Sequence, residues 1–242
     1  MARRPAPPAD DRPVPERVKA ALAWLEANGT EAGRTGMARY GIVASKAFGV
    51  SVGQIRAYAK SLGQDHGLAE ALWDTGWYEA RLLAVFVDDP KAVTVEQMDR
   101  WAASFENWAD CDTACFHLFD RTPHAFGRID AWAEREEEFV KRAAFALLAS
   151  LAGHDKSGND APYLERMALI ERGASDPRNF VKKGVSWALR GIGLKKSPAL
   201  RAAARELAAR LAQSKDPAQR WVGKDAMREF TKKDAAGKPG RA

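Results

Sequence analysis

Only two cysteines and four histidines occur among the 242 residues, and no uninterrupted apolar run approaches the roughly 20 residues that span a bilayer. Cys111 and Cys115 lie one helical turn apart, where a disulfide would deform the helix, and no other cysteine exists to build a framework. A disulfide-stapled secreted fold is thereby excluded, and a reducing compartment fits. The two cysteines share a helix face that His117 does not, and no fourth ligand accompanies them, so no zinc site is expected. Gly191-Ile192-Gly193 follows a helical pattern rather than a strand and Gly237-Lys238 lies in a tail, so neither forms a nucleotide loop, and no cofactor is expected. β-branched runs with strict alternation are nearly absent as well, whereas Ala, Leu, Arg, Glu and Lys dominate. The expected class is all-α.

The N-terminus reads Met-Ala-Arg-Arg-Pro and runs into Pro7, Pro8, Asp10 and Asp11 without an apolar core region, the pattern of neither a secretory nor a twin-arginine signal. A cytoplasmic protein with no membrane contact is the expectation. At 46% hydrophobic residues the chain has the means to bury a large core. Its net charge of +6 is unevenly spread. Residues 65–140 hold 6 Lys and Arg against 17 Asp and Glu, whereas residues 176–242 hold 17 against 6. A basic end on a helical protein points to a polyanionic partner, nucleic acid before an acidic protein or membrane.

Four prolines in residues 1–14 read as a disordered leader, followed by one helical domain over 15–231 and a flexible basic tail over 232–242. Pro15 opens a helix that Gly29 ends, and a second covers Glu31 to Tyr40. Ser51 caps a helix over Val52 to Leu62 that Gly63 stops. Leu68–Trp73 and Tyr78–Val87 follow, and Thr94 with Gln97 forms a capping-box pattern for the next. Trp108 to about Phe119, Phe126 to Trp132, Tyr163 to Arg172 and Pro198 to Leu211 complete the local reading.

From Glu138 the chain repeats itself. Phe139-Val140-Lys141-Arg142 recurs as Phe180-Val181-Lys182-Lys183 and as Trp221-Val222-Gly223-Lys224, with Val140, Val181 and Val222 spaced 41 residues apart. That period is typical of HEAT and armadillo units, helix pairs that bury their apolar faces only by stacking into a solenoid. Arg142, Lys183 and Lys224 hold equivalent positions, so a solenoid aligns them as a ladder of cations on one surface, taken to be a concave basic cleft. Lys183, Arg190 and Lys224, with Phe180 on the same stripe, are the candidate DNA contacts, and binding through several phosphates weakens steeply with salt.

The other candidate site begins at Trp108. Asp112 follows four residues later and shares its helix face. An ionised carboxylate beside an indole is costly to bury unless it is paired or has chemistry to do. Arg142 and Trp187, seven residues after Phe180, belong near the repeated inner face, so two indoles, one acid and one arginine are expected to meet.

These residues resemble the bacterial AlkD-type DNA alkylation repair glycosylases, which are built of HEAT-like repeats. The matching pieces are Trp108 with Asp112, Arg142 in Phe-Val-Lys-Arg-Ala-Ala, Trp187 in Lys-Lys-Gly-Val-Ser-Trp-Ala-Leu-Arg, and the segments Leu72-Trp73 and Tyr78 to Ala84, over residues 35 to 230. The resemblance implies that Trp108, Asp112, Arg142 and Trp187 act at the lesion. It also implies that cationic N3- or N7-alkylated purines are excised from duplex DNA. No metal or cofactor is expected for that chemistry, and a monomer is the simplest expectation. The resemblance implies an open cleft engaging the lesioned nucleotide's backbone; a flipped base is equally compatible with the residues themselves. Two further readings are a HEAT-repeat protein that binds branched or distorted DNA without catalysis, and a protein–protein scaffold.

Overall fold

The computed structural model describes residues 10–195 and 197–236. Most of the expected leader and residues 237–242 of the expected tail lie outside them. The helices are α1 (Val14–Asn28), α2 (Glu31–Ala38), α3 (Val52–Leu62), α4 (His66–Asp74), α5 (Tyr78–Val87), α6 (Val95–Ala103), α7 (Trp108–His117), α8 (Ala125–Ala133), α9 (Glu138–His154), α10 (Ala161–Glu165), α11 (Met167–Gly173), α12 (Asn179–Gly193), α13 (Pro198–Ala212) and α14 (Pro217–Ala236). A 3-10 turn at Phe119–Arg121 follows α7, and the described residues contain no strand.

Local chemistry explains most boundaries. Ser51 and Gln54 make a reciprocal capping box on α3, and Gly63 ends that helix at φ +80°. The box expected at Thr94 is only half made. Thr94 accepts from the Gln97 amide at 3.1 Å, but the Gln97 side chain donates instead to the buried Asp88 carboxylate at 2.7 Å. The helix expected over Tyr163 to Arg172 is divided into α10 and α11 at Arg166, whose guanidinium donates to the Pro162 carbonyl at 2.8 Å and to Asp130 at 2.6 Å. At the other end, α14 continues to Ala236, five residues past the point where a tail was expected.

Within the chain, contacts group the residues into two compact units that divide between Thr122 and Pro123. Pro123 keeps Thr122 extended, with ψ at 152°, so no helix crosses the junction. In the first unit α5 is the central element, buried along nearly its whole length and packed against α1, α3, α4 and α7. Trp73 of α4 and Trp101 of α6 stack beside it with ring centroids 3.9 Å apart.

In the second unit the 41-residue period becomes a structural repeat. The three spaced valines fall on α9, α12 and α14 and all are buried. Helix α12 packs against both α9 and α14, while α8, α11 and α13 pack against the long helices that follow them. The last of these pairings is the tightest. A Cβ on Gly223 would lie 2.2 Å from the Ala212 nitrogen and 2.6 Å from the Ala208 carbonyl oxygen, both backbone atoms of α13. Gly223→Ala is therefore expected to lower the unfolding free energy by about 2 kcal/mol despite alanine's better helix propensity. Gly53→Ala, where a Cβ meets nothing within 4 Å, should leave a urea midpoint unchanged or raised. Equal midpoints for the two variants would refute the close approach.

Candidate active site

Helix α7 begins with a reciprocal cap. The Asn107 side-chain oxygen accepts from the backbone N–H groups of Ala109 at 2.9 Å and Asp110 at 3.2 Å. Asp110 in return accepts from the amides of Asn107 (3.2 Å), Glu106 (3.1 Å) and Cys111 (2.8 Å). Arg81 of α5 reaches to 3.7 Å from the Asp110 carboxylate and donates to the Ser104 carbonyl at 2.9 Å. At 1% exposure Asp110 is an internal acid. Burial pushes it up to about 6, against the opposing pull of the three amides and Arg81. The Asn-x-x-Asp pattern at 107–110 is the sequence signal for this arrangement.

Asp112 is placed differently. It is half-buried on α7, as is Trp108 one turn earlier, whereas Cys111 and Cys115 turn into the core. Asp110 locks the helix start, whereas Asp112 lies half-buried one turn after Trp108.

Trp108 is also oriented by a segment that carries no periodic signal, residues 39–50. Its Nε1 donates to the Tyr40 carbonyl at 2.9 Å, and the Asn107 amide group donates to the Val43 carbonyl at 3.1 Å. The Ser45 backbone N–H and hydroxyl donate to Glu106 at 2.8 and 2.9 Å. Farther along, Phe48, Gly49 and Val50 donate their amides to the buried Glu79 carboxylate of α5 at 2.9, 2.6 and 3.3 Å. The segment pinned in this way leaves Tyr40 and Val43 over 70% exposed.

In the second unit Arg142 is only 6% exposed and donates to the Phe180 carbonyl at 2.7 Å. Lys183 and Lys224 are exposed. The expected ladder of cations is thus uneven, because the guanidinium of its first rung is drawn inward by a backbone acceptor. Arg190 lies 3.6 Å from the Asp225 carboxylate, which also accepts from the Ser186 hydroxyl at 2.6 Å and from Arg228 at 2.8 Å. Phe180 packs its ring 5.4 Å from that of Phe139, and Trp187 is half-buried on α12. Of the four residues expected together, Trp108 and Asp112 belong to the first unit and Arg142 and Trp187 to the second.

The family model for DNA alkylation repair enzymes matches residues 21–235, both units included. The chain belongs to the DNA alkylation repair family. Its fold is that of the HEAT-like repeat proteins. A solved structure from a family described as related to the HEAT-like repeat DNA glycosylases, with affinity for branched DNA structures, superposes with a TM-score of 0.72 at 22% identity. The match covers 87% of this chain and 94% of that one. No curated protein matches the sequence.

Charge in this member of the DNA alkylation repair family follows the division into units. Residues up to Thr122 carry 14 Lys and Arg against 17 Asp and Glu, and those from Pro123 on carry 24 against 15. Among the described residues no group of His, Cys, Asp and Glu side chains is arranged to hold a metal ion, and no helix is long and apolar enough to cross a membrane.

The separate task of Asp110 has a pH signature. A carboxyl raised in the folded state binds its proton more tightly there than in the unfolded chain. Its contribution therefore favours folding below about pH 4 and is lost as pH rises to about 6, a swing on the order of 2–3 kcal/mol. Asp110→Asn should remove that component, so that the stability difference between wild type and variant changes between pH 4 and 6 and is flat above. Parallel stability curves across that window would contradict the assignment.

Proposed function

We propose that the protein is a DNA glycosylase that removes cationic N3- and N7-alkylated purines from duplex DNA. The observation that carries this reading is the pair of Trp108 and Asp112, half-buried one turn apart on α7 in a chain of the DNA alkylation repair family. An alkylated purine bears a positive charge, so it departs with the electrons of its glycosidic bond and needs no strong general acid. What needs stabilising is the positive charge growing on the deoxyribose. The Asp112 carboxylate supplies the opposite charge and orients the water that adds to C1′, whose proton is then released to the carboxylate or to solvent. The indole face of Trp108 adds cation–π attraction.

The second unit supplies the contacts to nucleic acid. Lys183 and Lys224 offer exposed charge for phosphates, and Trp187 and Phe180 are assigned as aromatic contacts. Arg142 is assigned to a flanking phosphate, its guanidinium also donating to the Phe180 carbonyl. Arg190 is the weakest of these assignments because Asp225 already faces it.

A second reading, binding of branched DNA without excision, is favoured by the description of the structural relative. The experiment that separates the two measures release of 7-methylguanine and 3-methyladenine from methylated duplex, alongside binding to forked and plain duplexes. Release by the wild type supports the glycosylase. Tight fork binding with no base released replaces it with the second reading.

A further inference from the structure

A groove of about 720 Å³ is lined by α14 and the C-terminal end of α13, wholly within the second unit. Its floor is apolar, formed by Ala212, Trp221 and Met227, and its edge is cationic, formed by Lys224, Arg228 and Lys232. Helical spacing produces this arrangement. Positions 221, 224, 228 and 232 recur every three or four residues and so share a face, while Val222, Ala226 and Phe230 face the core. Lys182 of α12 adds a fourth cation, its Nζ 5.3 Å from the Trp221 ring centroid. Arg228 is held at 2.8 Å from Asp225, but neither Lys224 nor Lys232 forms an ion pair among the described residues.

We propose that this groove binds a single-stranded segment of DNA, with an unpaired base stacked on Trp221 and successive phosphates on Lys224, Arg228 and Lys232. Charge decides the class of occupant. An apolar floor alone would suit many partners, but a rim of one sign selects a polyanion, and residues 237–242 carry Lys238 and Arg241, which match that sign rather than complement it. The three cations are separated by four residues each, about 6 Å along the helix, a spacing that suits consecutive phosphates of an extended strand. A half-buried indole one turn before the first of them offers the sequence-tolerant π-face used to hold unstacked bases. A duplex, whose bases are already stacked, could use the cations but not the indole. The proposal rests on the nucleic-acid reading of the second unit and does not require base excision.

The test is fluorescence anisotropy with labelled oligothymidine and, separately, a blunt duplex, using the full chain. Trp221→Ala is expected to weaken oligothymidine binding about tenfold or more, with duplex binding changed by less than about twofold. Trp221→Phe, which keeps a stacking face, should retain most of the affinity. Lys232→Glu, at an exposed position, should weaken binding and flatten its salt dependence. Thermal melts establish that each variant is folded. Folded Trp221→Ala with wild-type affinity for oligothymidine overturns the proposal, as does polyglutamate displacing the oligonucleotide equally from wild type and Trp221→Ala. Loss of base release with oligothymidine binding intact would count against the glycosylase reading alone.

Discussion

Asp112→Asn is expected to slow release of 7-methylguanine and 3-methyladenine by about 100-fold or more, the usual effect of removing one charge-stabilising group from a transition state, while duplex binding changes by less than about twofold. The substitution keeps the shape of the side chain and removes only its charge. Because the leaving purine neutralises itself as the bond breaks, the unmet need is on the sugar, and an amide cannot supply the opposite charge there. Binding depends mainly on the cations of the second unit and so should be little affected. Asp112→Glu, which restores the charge at a shifted position, should recover part of the lost rate. Asp110→Asn is the informative neighbour. That acid caps α7 and lies 3.7 Å from Arg81, so its loss should appear in stability before it appears in rate. Comparable release by wild type and Asp112→Asn would exclude Asp112 as the stabilising carboxylate.

The parts of this fold that were legible in the sequence are those written in local pattern. Ser51 and Gly63 bound α3 as a cap and a stop should, and Pro15 and Gly29 mark the ends of α1. The 41-residue spacing of three valines translates directly into α9, α12 and α14, because a stacked helix pair buries the same position in every copy. Trp108 and Asp112 were identifiable as a pair because helical spacing alone puts them on one face. What was not legible depends on atoms distant in sequence. Arg142 occupies the same place in its repeat as Lys183 and Lys224, yet it is buried, because the Phe180 carbonyl, 38 residues later, accepts from it. Gln97 fits a capping box until the buried Asp88 competes for its side chain. Residues 39–50, lacking any period, gave no sign that they would orient Trp108.

Glu79 shows how such a distant contact reaches the site. It is fully buried on α5 and its carboxylate accepts the amides of Phe48, Gly49 and Val50. Both oxygens are needed, since Oε2 serves Phe48 while Oε1 serves the other two. Glu79→Gln keeps one acceptor and turns an NH2 group toward at least one of those N–H donors, leaving buried donors without partners. The expected cost is on the order of 3 kcal/mol, and Glu79→Ala, which strands all three amides and opens a cavity, should cost more. The loss should be local before it is global, because the same segment carries the Tyr40 carbonyl that receives the Trp108 indole N–H. Hydrogen exchange on Glu79→Gln is therefore expected to show residues 48–50 losing protection first, with base release falling under conditions where circular dichroism still reports a folded protein. If those amides keep wild-type protection in the variant, the carboxylate is not what fixes the segment, and the orientation of Trp108 must be set by Asn107 and Glu106 alone.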